Sequence, residues 1–437
     1  MIISDIKGFI SFLRPSNIKA WFNVENLFIN YFWLYTVSAL IKLLFDKDWL
    51  VTIIFPLIIF TLFIRKVKPK DFNIIDLFWL LEFVWVILTW VLNNYPYKYS
   101  LIIKCISQEM MFMLAYWISR NVKTDYLRLI IKSAYKPLVI TCVIGIYCFF
   151  FEPAWYANRT AELAYDIMGG ERDKESLLEL YRLKSIFATT YSLAYFCAIT
   201  LIYEFFFIFS LNKLDKKRKR YRILFIFLLI ITSVLCMMRA PIAGALFGLG
   251  VSYIYSIKYI KGIHPTRSIL LGISGICLLI LISLPFIDLS LLDFMLSKVA
   301  VFSNKDDSFI ESRLFLQMQS LSWLGEGFGK FSPVAKAYDM PIIPDGEYMK
   351  IIAEQGFLGL GIILLIFGSG IVKALKNFED LHFEFVILCF LLICMIGADP
   401  LSIFDKHCFL YWLALGQISK YRRKRKENES MRQRYER

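Results

Sequence analysis

A chain of 437 residues that is 58% hydrophobic and 17% aromatic carries more apolar surface than one water-soluble core buries, which excludes an ordinary soluble domain. Its formal net charge of +14 sits in short basic clusters between apolar runs, so membrane topology and an anionic inner leaflet account for it, and a nucleic-acid partner is not expected. All nine cysteines fall inside apolar runs without CxxC spacing and the three histidines are scattered, which argues against a disulfide framework and a metal centre; no cofactor is expected.

Apolar runs near the length needed to cross a bilayer recur along the whole chain. They predict one all-α polytopic domain, 1–437, of about twelve membrane helices. In chain order these fall at roughly 23–45, 49–64, 72–93, 99–119, 134–151, 186–210, 222–238, 240–256, 268–287, 348–372, 382–397 and 400–418. The first apolar run is broken by Asp5, Lys7, Arg14 and Lys19 with no small-residue cleavage site after it, so no cleaved signal peptide is expected.

Lys and Arg supply an independent test of this layout. The N-terminal segment, RKVKPK at 65–70, the loop from Arg120 to Lys136, KLDKKRKRYR at 213–222, the loop with Lys258, Lys261 and Arg267, the turn at Lys373 and Lys376, and the tail from about 419 all fall on one side. The positive-inside rule makes that side cytoplasmic, with both termini there and the chain in the cytoplasmic membrane. Two long connections, about 152–185 and 288–347, then lie outside. Loops of that length in a compact protein are usually functional.

The candidate chemistry clusters on that outer side. Arg182 precedes the sixth span, Arg239 stands in CMMRAPIAGALFGLG at the turn between the seventh and eighth, and Arg313 stands in ESRLFLQ. A guanidinium is a fixed cation with a planar fork of donors, suited to phosphate or carboxylate; the same residues would also serve as helix-end cations or partners of loop acids. Gly325, Gly327 and Gly329 in GEGFG permit positive φ and close ligand approach, as phosphate-cradling loops require, and fit a tight turn equally well. Gly356, Gly359 and Gly361 lie near one helical face, where they would admit a neighbouring helix. Ionisable residues inside predicted spans, Glu82, Lys104, Glu109, Glu204, Asp399, Asp405, Lys406 and His407, are functional candidates or internal pairs such as Lys104 with Glu109. Asp399 and Asp405, near the outer end of the last span, are placed to share a cavity with Arg239.

Three segments together resemble the O-antigen and capsular polysaccharide polymerase and ligase superfamily. RLKSIFATTYSLAYF is similar to the family's R-x-x-G-x-F start of a mid-chain span at Arg182, Phe187, Ser192 and Ala194, with Ser185 in place of glycine and Thr189 and Thr190 in place of Pro-Asn. TSVLCMMRAPIAGALFGLG resembles its arginine and small-residue span. ESRLFLQ, GEGFG and DGEYMKIIAEQGFLGLG together resemble its outer loop and the following H/D-x-x-Y…E-x-G-x-x-G span, with Tyr348 at the tyrosine. Asp345 stands where ligases of the family carry histidine, which favours a polymerase.

The resemblance implies a GT-C-like, metal-independent glycosyltransferase on the outer face. It would move a growing glycan from polyprenyl diphosphate to a new lipid-linked oligosaccharide unit. Arg239 would stabilise the departing diphosphate, Asp345 or Glu347 would orient or deprotonate the acceptor hydroxyl, and Arg182, Arg313, the three loop glycines, Tyr348 and Asp405 would bind substrate. Membrane lipids, a flippase and a chain-length regulator are the partners it implies. The alternatives are an O-antigen-type ligase and a transporter of polysaccharide or lipid-linked oligosaccharide.

Overall fold

The computed structural model describes residues 23–45, 50–68, 72–151, 153, 183, 185–187, 190–210, 216–236, 238–259, 322–332, 335, 338, 346–401 and 407–421. Among these the protein is wholly helical. In chain order the helices are α1 (Val24–Ile29), α2 (Tyr31–Phe45), α3 (Phe55–Lys66), α4 (Ile74–Leu92), α5 (Lys98–Cys105), α6 (Met111–Asn121), α7 (Tyr126–Ser133), α8 (Tyr135–Phe151), α9 (Tyr191–Ser210), α10 (Lys216–Leu235), α11 (Arg239–Tyr259), α12 (Glu347–Lys376), α13 (Phe378–Cys394) and α14 (Phe409–Lys420). Short π-helical turns at Leu50–Ile54 and Ile106–Met110 lead into α3 and α6. Every predicted span except 268–287, which lies outside the described residues, has a helix at its position. By length and composition α4 and α12 are able to cross a membrane, and the α7–α8 pair, bent by 44°, adds a third if it counts as one span. Some predicted spans are divided between shorter elements: Asn30 separates α1 from α2, and the π turns precede α3 and α6.

Polarity is inverted on these helices. The buried face of α4 carries Asp76, Glu82 and Thr89 beside Trp79 and Val86, while Leu77, Leu80, Val84, Leu88 and Val91 are exposed. Exposed Leu224, Phe227, Ile231 and Val234 make a similar stripe on α10, and Leu358, Leu365, Val372 and Leu375 on α12. A helix of a soluble protein shows the opposite pattern; an outward apolar stripe over an inward polar face fits hydrocarbon surroundings.

At the centre lies α14, buried from Phe409 through Ser419. It crosses α6 closely, since a Cβ on Gly416 would stand 2.5 Å from the Tyr116 carbonyl oxygen. α11 packs on α13 through Gly244 and Gly248, whose Cβ positions would lie 2.5 Å from Phe390 and 2.8 Å from Val386. Small residues spaced by four thus let these two helices approach.

The bundle has two distinct ends. At the basic end, Lys66 pairs with Glu25, Arg120 with Asp76, Arg128 with Glu384 and Arg222 with Glu204. Lys373 donates to the Ser419 carbonyl and Lys420 to that of Val122, so the C-termini of α12, α14 and α6 meet there. The opposite, loop end gathers the C-terminus of α4, α5, the 322–332 loop, the N-termini of α11 and α12, and the segment after α13.

Candidate functional site

α12 begins at the loop end against the 395–401 segment. The Gly346 amide donates to Asp399 Oδ1 (3.2 Å), that of Glu347 to the Ala398 carbonyl (3.1 Å), and that of Leu401 to Glu347 Oε2 (2.9 Å). Along the first turns Glu347, Lys350 and Glu354 follow one another at i, i+3 and i+7, which puts them on one face, and all three are buried. Lys350 Nζ lies 3.3 Å from Glu347 Oε1 and 3.4 Å from Glu109 Oε1, the latter carried on the π turn before α6. Glu354 and Asp399 complete the acids around this ammonium. Lys104 does not meet Glu109, contrary to the pairing their spacing suggested; its ammonium lies 4.9 Å from the Tyr338 ring. Five residues apart on an α-helix, the two lie about 140° from each other, and Glu109 faces α12.

Two turns further on, α12 breaks. Gly356 has φ 73° and ψ −178°, so the helical ladder is interrupted and backbone groups on both sides lose their partners. The 322–332 loop replaces them in register. The Glu326 and Gly327 amides donate to the Ala353 and Glu354 carbonyls (2.8 and 3.0 Å), and the Phe357 and Leu358 amides donate to the Ser322 and Trp323 carbonyls (3.0 and 3.4 Å). Trp85 Nε1 serves the Gln355 carbonyl at 2.8 Å. The Glu354 carboxylate then takes the Phe331 amide at 3.0 Å and a second hydrogen bond from the Gly329 amide. Loop and broken helix satisfy each other, as irregular backbone near a membrane must be satisfied.

This stitch explains the loop glycines. Gly325, Gly327 and Gly329 all have positive φ, at 73°, 114° and 86°. A Cβ on Gly325 would stand 2.4 Å from the Glu354 carbonyl oxygen, on Gly327 2.6 Å from Tyr95, and on Gly329 3.0 Å from Cys105 Sγ. Their close approach is to protein, and in this conformation the Gly325, Gly327 and Gly329 amides are given to Ser322 Oγ and to Glu354. Tyr95 anchors the loop from α4, its hydroxyl donating to the Phe328 carbonyl at 2.6 Å. Burial and the nearby Glu354 carboxylate push that hydroxyl's pKa up, so it stays a donor. The helix glycines divide. Gly356 receives the loop, Gly361 faces open space, and Gly359 lies under the Gln355 side chain of its own helix, with Trp85 of α4 at 3.2 Å, so a neighbouring helix approaches at Gly359 alone.

Arg239 is exposed and opens α11. The next residue, Ala240, accepts from Cys394 Sγ through its carbonyl at 3.4 Å, so the 395–401 segment runs from the neighbourhood of Arg239 to Glu347. Tyr348 turns to α13, its hydroxyl donating to the Leu392 carbonyl at 2.8 Å. Arg182, Arg313, Asp345, Asp405 and Lys406 lie outside the described residues. Ser185, at the position where the resemblance expects glycine, has φ 58°, the left-handed backbone that glycine favours, and bonds the Thr141 carbonyl through Oγ. Phe187 stacks on Tyr35, and the Ser192 carbonyl accepts from His407 Nε2 at 2.9 Å; these two matched positions build the core around α2 and α14.

Lys350 was not among the candidates. Its signal was a lysine at the start of an apolar run with acids three before and four after it, the spacing of one helix face. No protein-family model matches the chain, and none of the curated proteins matches it significantly.

Proposed function

We propose that the protein is a multi-pass polysaccharide polymerase of the cytoplasmic membrane, with its loop end outward and both termini in the cytoplasm. It transfers a growing glycan from polyprenyl diphosphate to a new lipid-linked oligosaccharide unit. The observation that carries this reading is the exposed Arg239 guanidinium at the N-terminus of α11, at the same end of the bundle as the carboxylate-lined start of α12 and joined to it by the 395–401 segment. In the reaction an acceptor hydroxyl oxygen bonds to the anomeric carbon, the bond from that carbon to diphosphate breaks, and the hydroxyl proton passes to a carboxylate. Negative charge grows on the departing diphosphate, where a guanidinium fork and the positive end of a helix are both favourable. Glu347 is committed to Lys350 and the Leu401 amide, which leaves Asp345, two residues upstream, as the base. Arg182, Arg313 and Asp405 complete the substrate contacts in this reading, and the chemistry needs no metal.

The break at Gly356 favours a second reading, since transporters bind their cargo at discontinuous helices near the bilayer midplane. The remainder of α12, 357–376, is about 30 Å long, one hydrocarbon thickness. In this reading that length puts the break at the outer boundary, and the 322–332 loop occupies its backbone groups, which supports a polymerase over a transporter. A ligase is disfavoured by Asp345 in the histidine position.

Purified protein given a polyprenyl-diphosphate-linked repeat unit should extend it in excess EDTA with no nucleotide sugar present. Strict dependence on added magnesium or manganese, or on a nucleotide sugar, would overturn the mechanism.

A further inference from the structure

A second feature of the loop end lies on α5. Tyr97, which caps its N-terminus, has φ 55° and ψ 14°, a left-handed conformation that a ring-bearing residue rarely adopts, and its side chain is 58% exposed. Tyr338, brought in from the outer loop, stacks on it with centroids 4.8 Å apart and planes 26° from parallel. Lys104 Nζ lies 4.9 Å from the Tyr338 ring centre, and the nearby Lys104 and Ser100 hold the Tyr338 hydroxyl's pKa below its ordinary value.

The two faces of α5 have different characters. Tyr99, Ile103 and Ile106 project on one side, all exposed and largely apolar, continuing the stripe of exposed residues on α4. Tyr97, Ser100 and Lys104 lie on the opposite side at helical spacing and carry Tyr338. Tyr99 therefore suits the aromatic belt of a membrane interface, while the Tyr97 face points away from it. The hydrophobic cluster of Tyr95, Leu101 and Ala335, with Tyr338 packed on it, ties this face to the docked glycine loop.

We propose that Tyr97, Tyr338 and Lys104 form a subsite for an acidic sugar, a pyranose bearing a carboxylate or phosphate. The open face of the aromatic pair takes the C–H face of the ring, and the Lys104 ammonium takes the anionic substituent. The left-handed Tyr97 backbone, which contributes nothing to helix α5 that glycine would not, is the conformation that turns its ring outward. This inference rests on the glycan reading above and names its substrate class.

The test uses full-length protein in nanodiscs and two probes, tetragalacturonate and the neutral galactose tetrasaccharide of the same linkage, titrated by calorimetry. Wild-type protein should bind the acidic probe at least fivefold more tightly than the neutral one. Tyr97→Gly removes the ring and suits the backbone, so affinity for both probes should fall about tenfold with the melting temperature unchanged or higher. Lys104→Gln should erase the preference and leave neutral binding in place. Absence of binding by wild type, equal binding by Tyr97→Gly, or an effect of these changes on anionic-lipid affinity alone would overturn the subsite. Acidic-probe binding by a protein that fails to extend any lipid-linked unit would support the subsite and sink the polymerase; extension with a Tyr97→Gly variant that binds as wild type would sink only the subsite.

Discussion

At the basic end of the bundle acids and bases meet in discrete pairs: Lys66 with Glu25, Arg120 with Asp76, Arg128 with Glu384. At the loop end Lys350 sits amid Glu109, Glu347, Glu354 and Asp399, and regular secondary structure gives way to a broken helix stitched to a glycine loop. The first end closes the bundle with separate pairs, from the half-exposed Lys66–Glu25 to the buried Arg120–Asp76. The second holds irregular backbone in register by burying charge, an arrangement that is costly if any member is removed and therefore rigid. Rigidity in an otherwise irregular surface is what the proposed transfer between two large substrates requires.

Substitution of the lysine tests this contrast most severely. Lys350→Met leaves Glu347 and Glu109 buried opposite a thioether, so stability should fall by about 3–5 kcal/mol, against under about 1 kcal/mol for Lys66→Met in the half-exposed pair at the other end. Thermal unfolding of both variants in detergent measures the difference, and adding Glu109→Gln and Glu347→Gln to Lys350→Met should recover most of the loss. Equal effects at the two ends would erase the distinction.

The stitched break is next. Gly356→Ala puts a Cβ 2.2 Å from the Trp323 carbonyl oxygen on a backbone with positive φ, which should cost about 3 kcal/mol through strain and overpacking. Faster proteolysis within 322–332 should accompany it. A variant as stable and as protease-resistant as wild type would show that the loop docks differently.

Arg239→Lys addresses function, since lysine keeps the charge of an exposed residue at a helix start. Losing bidentate contact to diphosphate oxygens costs about 1.4 kcal/mol or more of transition-state stabilisation, so long-chain glycan should fall tenfold or more while single lipid-linked units accumulate at unchanged protein level. Gel profiles with normal chain length would refute the diphosphate role. The smallest effect belongs to Gly361→Ala: with nothing within 4 Å of its Cβ, stability should rise by about 0.5–1 kcal/mol through helix propensity alone.

Much of the architecture was legible in the amino-acid order because it follows from local, periodic signals. Apolar run lengths located the helices, and the Lys and Arg clusters predicted a single basic end. The three loop glycines were read correctly as left-handed positions, since positive φ is a property of the residue itself. What lies opposite a glycine is a property of the fold. Spacing could not distinguish a ligand from the Glu354 carbonyl, nor separate Gly356, which receives a loop, from Gly361, which meets nothing. Charge partners were hidden for the same reason. Lys104 and Glu109 are near in sequence, yet Lys104 lies against Tyr338 and Glu109, on the π turn, meets Lys350, 241 positions away. Hydrophobic periodicity is written along one element, whereas an ion pair or a backbone stitch depends on where two distant elements come to rest, and only their packing decides that.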